Sequence, residues 1–531
     1  MSRPASVIRS IGSSAATDGP GLGPQPASRR DFLWQMGGGL GGVALAALLA
    51  EEDRLGPEGL RANDQTASRP SSEAARGEPK TGSPSANPLA AKPGPHIARA
   101  RSVIQIFCPG GLSHVDTWDY KPLLAEKAGQ PFDPELGKQT FAGIGGNYAP
   151  SFWKFRQHGQ SGRWLSDLFP KLPAVVDEMS FLYAMQSKSA LHGPAMFMAN
   201  SGFIRPGFPS MGAWVTYGLG SESENLPAFV VLPDVRGLPP GGIANWSAGF
   251  LPAVHQGTVL ETAADRPPIA DLFATKTPTG ELITDRNSDQ SGREFLSLLN
   301  RQHAESRGDS LLEARIAAYE LAARLQLSAP EAVDLAGESQ AALKPYELDD
   351  ADVGPFGRQC ILARRLVERG VRFVQIFCGA ENTSSKKIRP NWDSHEDLVR
   401  DHGYWGRILD TGVTALLTDL KQRGLLESTL VICTSEFGRQ PFMQGQQKGR
   451  DHNPGVFTAW MAGGGVQGGT SHGQSDDLGW NAAVDPTYCY DLHATALHLL
   501  GLDHERLTYY HNGIARRLTD VHGQVLTGLL S

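Results

Sequence analysis

Several side chains with metal-binding, acid-base or anion-binding capacity sit at the ends of apolar runs. Ser113, His114, Asp116 and Asp119 follow one run, Asp393 and His395 follow a second, Glu436 follows a third, and Asp451 and His452 come just before a fourth. Mixed imidazole and carboxylate donors suit a divalent metal such as zinc, manganese, iron or calcium. A pair of such ions polarises an ester oxygen and makes water nucleophilic near neutral pH. Asp-x-His and Asp-His occur by chance in surface turns, so neither is specific alone. Their joint placement at the ends of apolar runs is what points to a metal site.

The runs themselves read as buried strands. Ser102 to Cys108 (SVIQIFC) stops at Pro109-Gly110-Gly111, as a parallel strand meeting a loop does. Gly354 to Arg369 has helical spacing, Gly370 ends it, and Val371 to Phe377 is the second strand. Trp405, Ile408, Leu409, Val413, Leu416, Leu417 and Leu420 share one helix face, Gly424 closes that helix, and Thr429 to Cys433 is the third strand. Val456 to Met461 is the fourth. Strands alternating with helices predict an α/β fold, a mostly parallel sheet with helices on both faces and ligands at the carboxyl ends of its strands. The turn-rich stretch 245–343, with an amphipathic segment over Leu311 to Leu327, reads as an insertion or cap. There is no internal repeat, phosphate loop or dinucleotide fingerprint.

The chain's 531 residues allow one large domain with insertions or two domains, and 40% hydrophobic residues allow a sizeable core. The formal charge is −7 and the basic residues are dispersed, which argues against a nucleic-acid partner. Five widely spaced cysteines (Cys108, Cys360, Cys378, Cys433 and Cys489) do not form a disulfide framework and read as buried thiols. Ser28-Arg29-Arg30-Asp31-Phe32-Leu33 and the apolar, glycine-rich stretch to Ala50 mark residues 1–50 as a twin-arginine signal region, predicting a periplasmic or extracellular protein. A buried helix there is disfavoured, since each glycine costs about 1 kcal/mol relative to alanine. The segment is either cleaved, with Ala44 and Ala46 as one cleavage pattern, or kept as the chain's sole membrane anchor. Residues 51–95, rich in Ser, Ala, Pro and charge, read as a disordered linker, and 96–531 as the folded domain.

Val371-Arg-Phe-Val-Gln-Ile-Phe377, Trp392-Asp-Ser-His395, Ile408-Leu-Asp-Thr-Gly-Val413 and Thr429-Leu-Val-Ile-Cys-Thr-Ser-Glu-Phe-Gly438 resemble the core of the alkaline phosphatase and sulfatase superfamily. More closely, Gly110-Gly-Leu-Ser-His-Val-Asp-Thr-Trp-Asp119, Ser435-Glu-Phe-Gly-Arg439, Gly449-Arg-Asp-His452 and Asp491-Leu-His-Ala-Thr495 resemble one exported bacterial branch of it, the domain-of-unknown-function family fifteen-oh-one, from about His96 to the C-terminus. The resemblance implies a metal-dependent hydrolase of sulfate or phosphate esters, with one metal held by Asp393, His395 and His452. The spacing from Asp393 to His395 is narrower than is usual in the superfamily. Glu436-Phe437-Gly438 stands where most members have Asp-His-Gly, which keeps a carboxylate, loses an imidazole and weakens a two-metal mechanism. Asp116 is the carboxylate nearest the first strand, where the superfamily places an Asp, and Asp451 adjoins His452.

The superfamily's nucleophile position, counted back from Ser201-Gly202, falls on His192, and no Cys-x-Pro-x-Arg signature is present. His192 is expected as ligand or base ahead of nucleophile, with helix capping as the bland alternative, and Ser113 is the second-choice nucleophile. Arg439 and Arg450 could clamp an anion, although surface arginines are common. Asp491, His493 and Thr495 are expected to cap or support rather than ligate, and Asp410 to pack within its helix. The partner implied is an anionic ester or polymer. The alternative is a catalytically reduced member that binds an anionic envelope or extracellular polymer without turning it over.

Overall fold

The computed structural model describes residues 89–132, 146–263, 329–381 and 388–531, with Phe295, Leu298 and Leu299 besides. Residues 1–50, most of 51–95 and the segment from Leu311 to Leu327 lie outside the described residues. By its contacts the chain divides into two compact units, and the larger, Thr81–Thr284 with Arg307–Ser531, holds everything discussed below.

Nine strands build its main sheet: β1 (Ser102–Phe107), β2 (Met179–Gln186), β3 (Phe229–Leu232), β4 (Thr258–Val259), β5 (Phe373–Phe377), β6 (Thr429–Thr434), β7 (Phe457–Ala462), β8 (Ser471–His472) and β9 (Thr487–Tyr488). Their order is β8-β2-β7-β6-β1-β5-β3-β4, with β9 also paired to β2. Strand β1 lies at the centre, parallel to β5 in the register Gln105 opposite Gln375, and parallel to β6 with Ile106 opposite Cys433. The expected second and third strands therefore flank the first. The fourth, β7, runs antiparallel to both β6 and β2, so it is the start of β7 that lies at the carboxyl edge of its neighbours. For this reason residues just before β7 can join residues just after β1, β5 and β6. The stretch after Asn245 begins inside this sheet, because β4 pairs with β3.

Alternation along β1 supplies two cores. Ile104 and Ile106 face one side, with α3 (Gly354–Glu368) and α4 (Leu398–Gln422), while Val103 and Phe107 face the other, with α1 (His192–Ser201), α2 (Met211–Leu219) and α5 (Cys489–Leu499). Each large apolar side chain so buried contributes about 1.5 to 3 kcal/mol. Glycines in the left-handed region follow α1 and α3, Gly202 at φ 81° and Gly370 at φ 85°, a conformation that stops a helix without side-chain strain. Helix α4 starts at Leu398, one turn and more before the apolar stripe predicts, because Asp397 caps it by accepting from the Arg400 N–H at 3.0 Å. Asp410 accepts not within its helix but from the backbone N–H groups of Lys171 and Leu172, and burial raises its pKa to about 6. All five cysteines are buried thiols. Among the described residues no helix is long and apolar enough to cross a membrane.

Candidate metal centre

At the carboxyl edge of the sheet, four segments meet. The loop after β5 brings Asp393 and His395; its path is fixed by the Asp393 N–H donating to Asn391 Oδ1 at 3.0 Å and by Trp392 Nε1 donating to the Cys378 carbonyl at 3.1 Å. The loop after β1 passes so close that a side chain at Gly110, where φ is 108°, would overlap the backbone of Trp392 and Asp393. Glu436 follows β6 directly. His452 pairs with Arg439 in a two-residue antiparallel bridge just ahead of β7, and His192 opens α1.

One carboxylate oxygen is the focus. Asp393 Oδ1 lies 2.8 Å from His395 Nε2, 3.2 Å from His452 Nε2 and 3.4 Å from His192 Nε2, and the last two of these rings stand 4.5 Å apart. His395 Nε2 and His452 Nε2 are 3.0 Å apart. Around an ion about 2.0 to 2.1 Å from each donor, neighbouring corners of a tetrahedron stand about 3.3 Å apart, close to these four separations, while His192 and His395 fall in different donor groups. The outer nitrogens are each committed to an acceptor: His192 Nδ1 to Glu436 Oε1 at 2.7 Å, His452 Nδ1 to the Ala190 carbonyl at 2.7 Å, and His395 Nδ1 to Gln444 Oε1 at 2.5 Å. An imidazole that donates from Nδ1 turns its Nε2 lone pair inward when neutral, which is how metal-bound histidines are oriented. His192 Nε2 is buried and makes no hydrogen bond among the described residues. His192, Asp393 and His452 form one group able to hold a metal ion, and His395, Asp451 and His452 form a second.

The electrostatics here are set by one buried guanidinium and two carboxylates around the imidazoles. Burial works against ionisation of Asp393, but the Arg439 guanidinium, 2.7 Å away, and the surrounding imidazoles outweigh it and hold the carboxyl far below the usual range. Burial likewise opposes the charged form of His192, yet the carboxylates of Asp393 and Glu436 raise it to about 9. Burial lowers His452 to about 4, with Arg439 and His192 assisting.

The other expected site residues lie nearby in different roles. Glu436 accepts from the Gly110 N–H at 2.7 Å, the Ser435 hydroxyl at 3.0 Å and His192, so it orients an imidazole. Arg439 is wholly buried and spends its donors on Asp393 and on the carbonyls of Gly110, Gly111 and Arg450, leaving no fork for an external anion. Asp451 Oδ1 stands 3.9 Å from His395 Nδ1 and accepts from the His452 N–H at 2.8 Å. Asp116 is not brought to the centre. It forms a fully buried ion pair with Arg450 at 2.8 Å, and Ser113, also buried, donates its hydroxyl to Asp116 at 2.5 Å. Phe437, where the resemblance implies the loss of an imidazole, packs with its ring centroid 4.5 Å from that of His452. Sequence reasoning missed Gln444 and the Ala190 carbonyl as the acceptors that set two imidazoles. The only signal for Gln444 is its place in the loop between Glu436 and Asp451.

Among solved structures the chain resembles the sulfatase PsFucS1 from Pseudoalteromonas sp., at 14% identity and a TM-score of 0.33 over 82% of this chain and 72% of that one. It also resembles the lipoteichoic acid synthase LtaP from Listeria monocytogenes, at 9% identity and a TM-score of 0.33 over 78% and 76%. A third is a protein in the alkaline phosphatase superfamily from Vibrio parahaemolyticus, at 9% identity and a TM-score of 0.31 over 78% and 70%. Likenesses of this level fix no activity. No curated protein matches the sequence. The family model described as protein of unknown function (DUF1501) matches residues 100–530, which takes in β1, Asp393, His395, Glu436 and His452 together. The chain belongs to the DUF1501 family.

Proposed function

We propose that this chain is a metal-dependent hydrolase of sulfate or phosphate esters, a member of the alkaline phosphatase and sulfatase superfamily. The observation that carries the reading is the convergence of His192, His395 and His452 through Nε2 on Asp393 Oδ1, with every Nδ1 held from behind. A divalent ion bound there supplies a Lewis acid for the ester. The chain's own groups do the rest. Arg439 keeps Asp393 anionic, and Glu436, Gln444 and the Ala190 carbonyl keep the imidazoles turned inward. His192 ligates or, when it does not, holds a proton at Nε2 toward the substrate, at the N-terminal end of α1 where the helix dipole favours an anion. Side-chain exposures of 23% at His192, 20% at Asp393 and 21% at His395 leave the centre open to a small anionic group. With Phe437 in an imidazole's place, the reading is a single-ion centre. The twin-arginine reading of residues 1–50 puts this activity in the periplasm or outside the cell, on an anionic ester or polymer.

A second reading rests on the burial of Ser113 and the packing of Phe437, which remove a hydroxyl nucleophile and an imidazole: a catalytically reduced relative that binds an anionic polymer. Elemental analysis of the purified chain and turnover of aryl sulfate and aryl phosphate esters separate the two. One divalent ion per chain is expected, with both ion and turnover lost in His395→Ala and His452→Ala. Bound polymer without turnover, whatever metal is supplied, supports the second reading. A metal-free chain whose turnover is untouched by either substitution overturns the first.

A further inference from the structure

Helix α1 carries His192 at its first position, and its apolar contacts come from alanine and methionine. Its buried residues are Ala195, Met196, Met198, Asn200 and Ser201, and methionine and alanine adapt to many settings. Besides the His192–Glu436 bond at its start, directional bonds gather at its far end. Asn200 Oδ1 accepts from Gln375 Nε2 at 2.8 Å and from Gln105 Nε2 at 3.5 Å, and the two glutamines, opposite each other on β5 and β1, are bonded at 3.3 Å. Asn200 Nδ2 donates to the Met196 carbonyl at 3.0 Å and to Asn245 Oδ1 at 3.2 Å. His493 on α5 donates from Nε2 to the Ala199 carbonyl at 2.9 Å, and the Tyr490 hydroxyl donates to the Gly202 carbonyl at 2.9 Å. Gln105, Gln375, Asn200 and His493 are at most 2% exposed amid Val103, Phe107, Phe373 and Phe377. Amides buried in such surroundings are costly unless bonded, and here each amide nitrogen is bonded in a single chain of donors, while Gln375 Oε1 and His493 Nδ1 have no partner among the described residues.

We propose that Asn200, seated on Gln105 and Gln375 and flanked by His493, sets the rotation and depth of α1 and thereby places His192 in the metal centre. These are positioning residues, since eight residues of helix put Asn200 about 12 Å from His192. A tilt of about 10° at the clamp displaces the imidazole by about 2 Å over that length, enough to take Nε2 out of ligand distance. The proposal rests on the single-ion reading above, and its test is built to fail separately from that reading.

The full chain, stripped of metal and titrated with Co²⁺, gives an affinity and an absorption band that reports the ligand set. Asn200→Ala is expected to weaken Co²⁺ binding at least tenfold and to shift the band as His192→Ala does, while the double variant loses less than a further twofold. Met196→Ala, which removes packing from the same helix without a directional bond, is expected to keep the affinity within threefold at a comparable loss of thermal stability. Wild-type affinity and band in Asn200→Ala, or losses that multiply in the double variant, overturn the proposal. If the wild type binds no Co²⁺, the metal reading fails, and ¹⁵N-histidine NMR of the metal-free chain decides the positioning instead. Displacement of the His192 Nδ1 proton signal by Asn200→Ala supports it, and an unmoved signal overturns it. Should Asn200→Ala not fold, Gln375→Met, which keeps the length and removes the shortest bond to Asn200, is read in the same way.

Discussion

Two clusters at the same edge of the sheet are built from similar residue types and behave differently. After β1, Ser113, His114 and Asp116 are sealed at 0% exposure together with His402 of α4, with Asp116 paired to Arg450 and the Ser113 N–H donating to His402 Nε2 at 3.1 Å. After β5, Asp393 and His395 keep a fifth of their side-chain surface open, and the nitrogens around Asp393 have their outer atoms bonded and their inner atoms aimed at one point. In the first cluster every charge has found its counterpart in the chain. In the second, one carboxylate oxygen gathers Arg439 and three imidazole nitrogens about it and stays partly open to solvent. Chemical capacity follows from which atom of each group is already committed, and the residue types alone do not decide it.

The largest effect that separates the two clusters is on stability. Asp116→Ala strands the buried Arg450 guanidinium and is expected to cost about 3 to 5 kcal/mol in urea unfolding, whereas His395→Ala, at the open cluster, costs under about 1 kcal/mol in the metal-free chain. Equal costs would erase the contrast. Next is pH. Burial lowers His402 to about 3, so the unfolded chain, titrating near 6.5, binds the proton first. The stability this neutral histidine contributes is present above about pH 6.5 and is lost, at about 1.4 kcal/mol per pH unit, as pH falls toward 3. His402→Asn should flatten the pH dependence of unfolding between pH 7 and pH 5 by that slope, and an unchanged profile would remove His402 from the account.

The smallest effect concerns the outer bonds of the open cluster. Gln444→Leu frees the His395 ring to turn and is expected to weaken metal binding about 10- to 100-fold, while Ser113→Ala in the closed cluster leaves it unchanged. Isothermal titration with Zn²⁺ checks both, and a metal affinity sensitive to Ser113 but not to Gln444 would reverse the comparison.

Much of this geometry was legible in the residues. The apolar runs and glycine stops marked the central strands and helices α3 and α4, since burial on both faces demands continuous apolar sequence there. Asp393, His395 and His452 stood out because they lie in the loops after β5 and before β7, where the resemblance implies a metal-binding Asp and two His. What was not legible depends on partners far along the chain. Asp116 meets Arg450, and a sequence does not tell a buried arginine from a surface one. The reversed direction of β7 leaves no mark in an apolar run, and an asparagine or glutamine such as Asn200 or Gln444 looks like any polar residue until its neighbours are known.

That reversed strand has a consequence for the order in which the centre comes into being. Because β7 enters the sheet from the edge that the other strands leave, His452 is set only when a segment from the last sixth of the chain has docked between β6 and β2. Without that docking, Asp393 and His395 would lack the His452 imidazole beside them. On the proposed single-ion reading, a metal ion would therefore be held by the full set of donors only after this strand has docked.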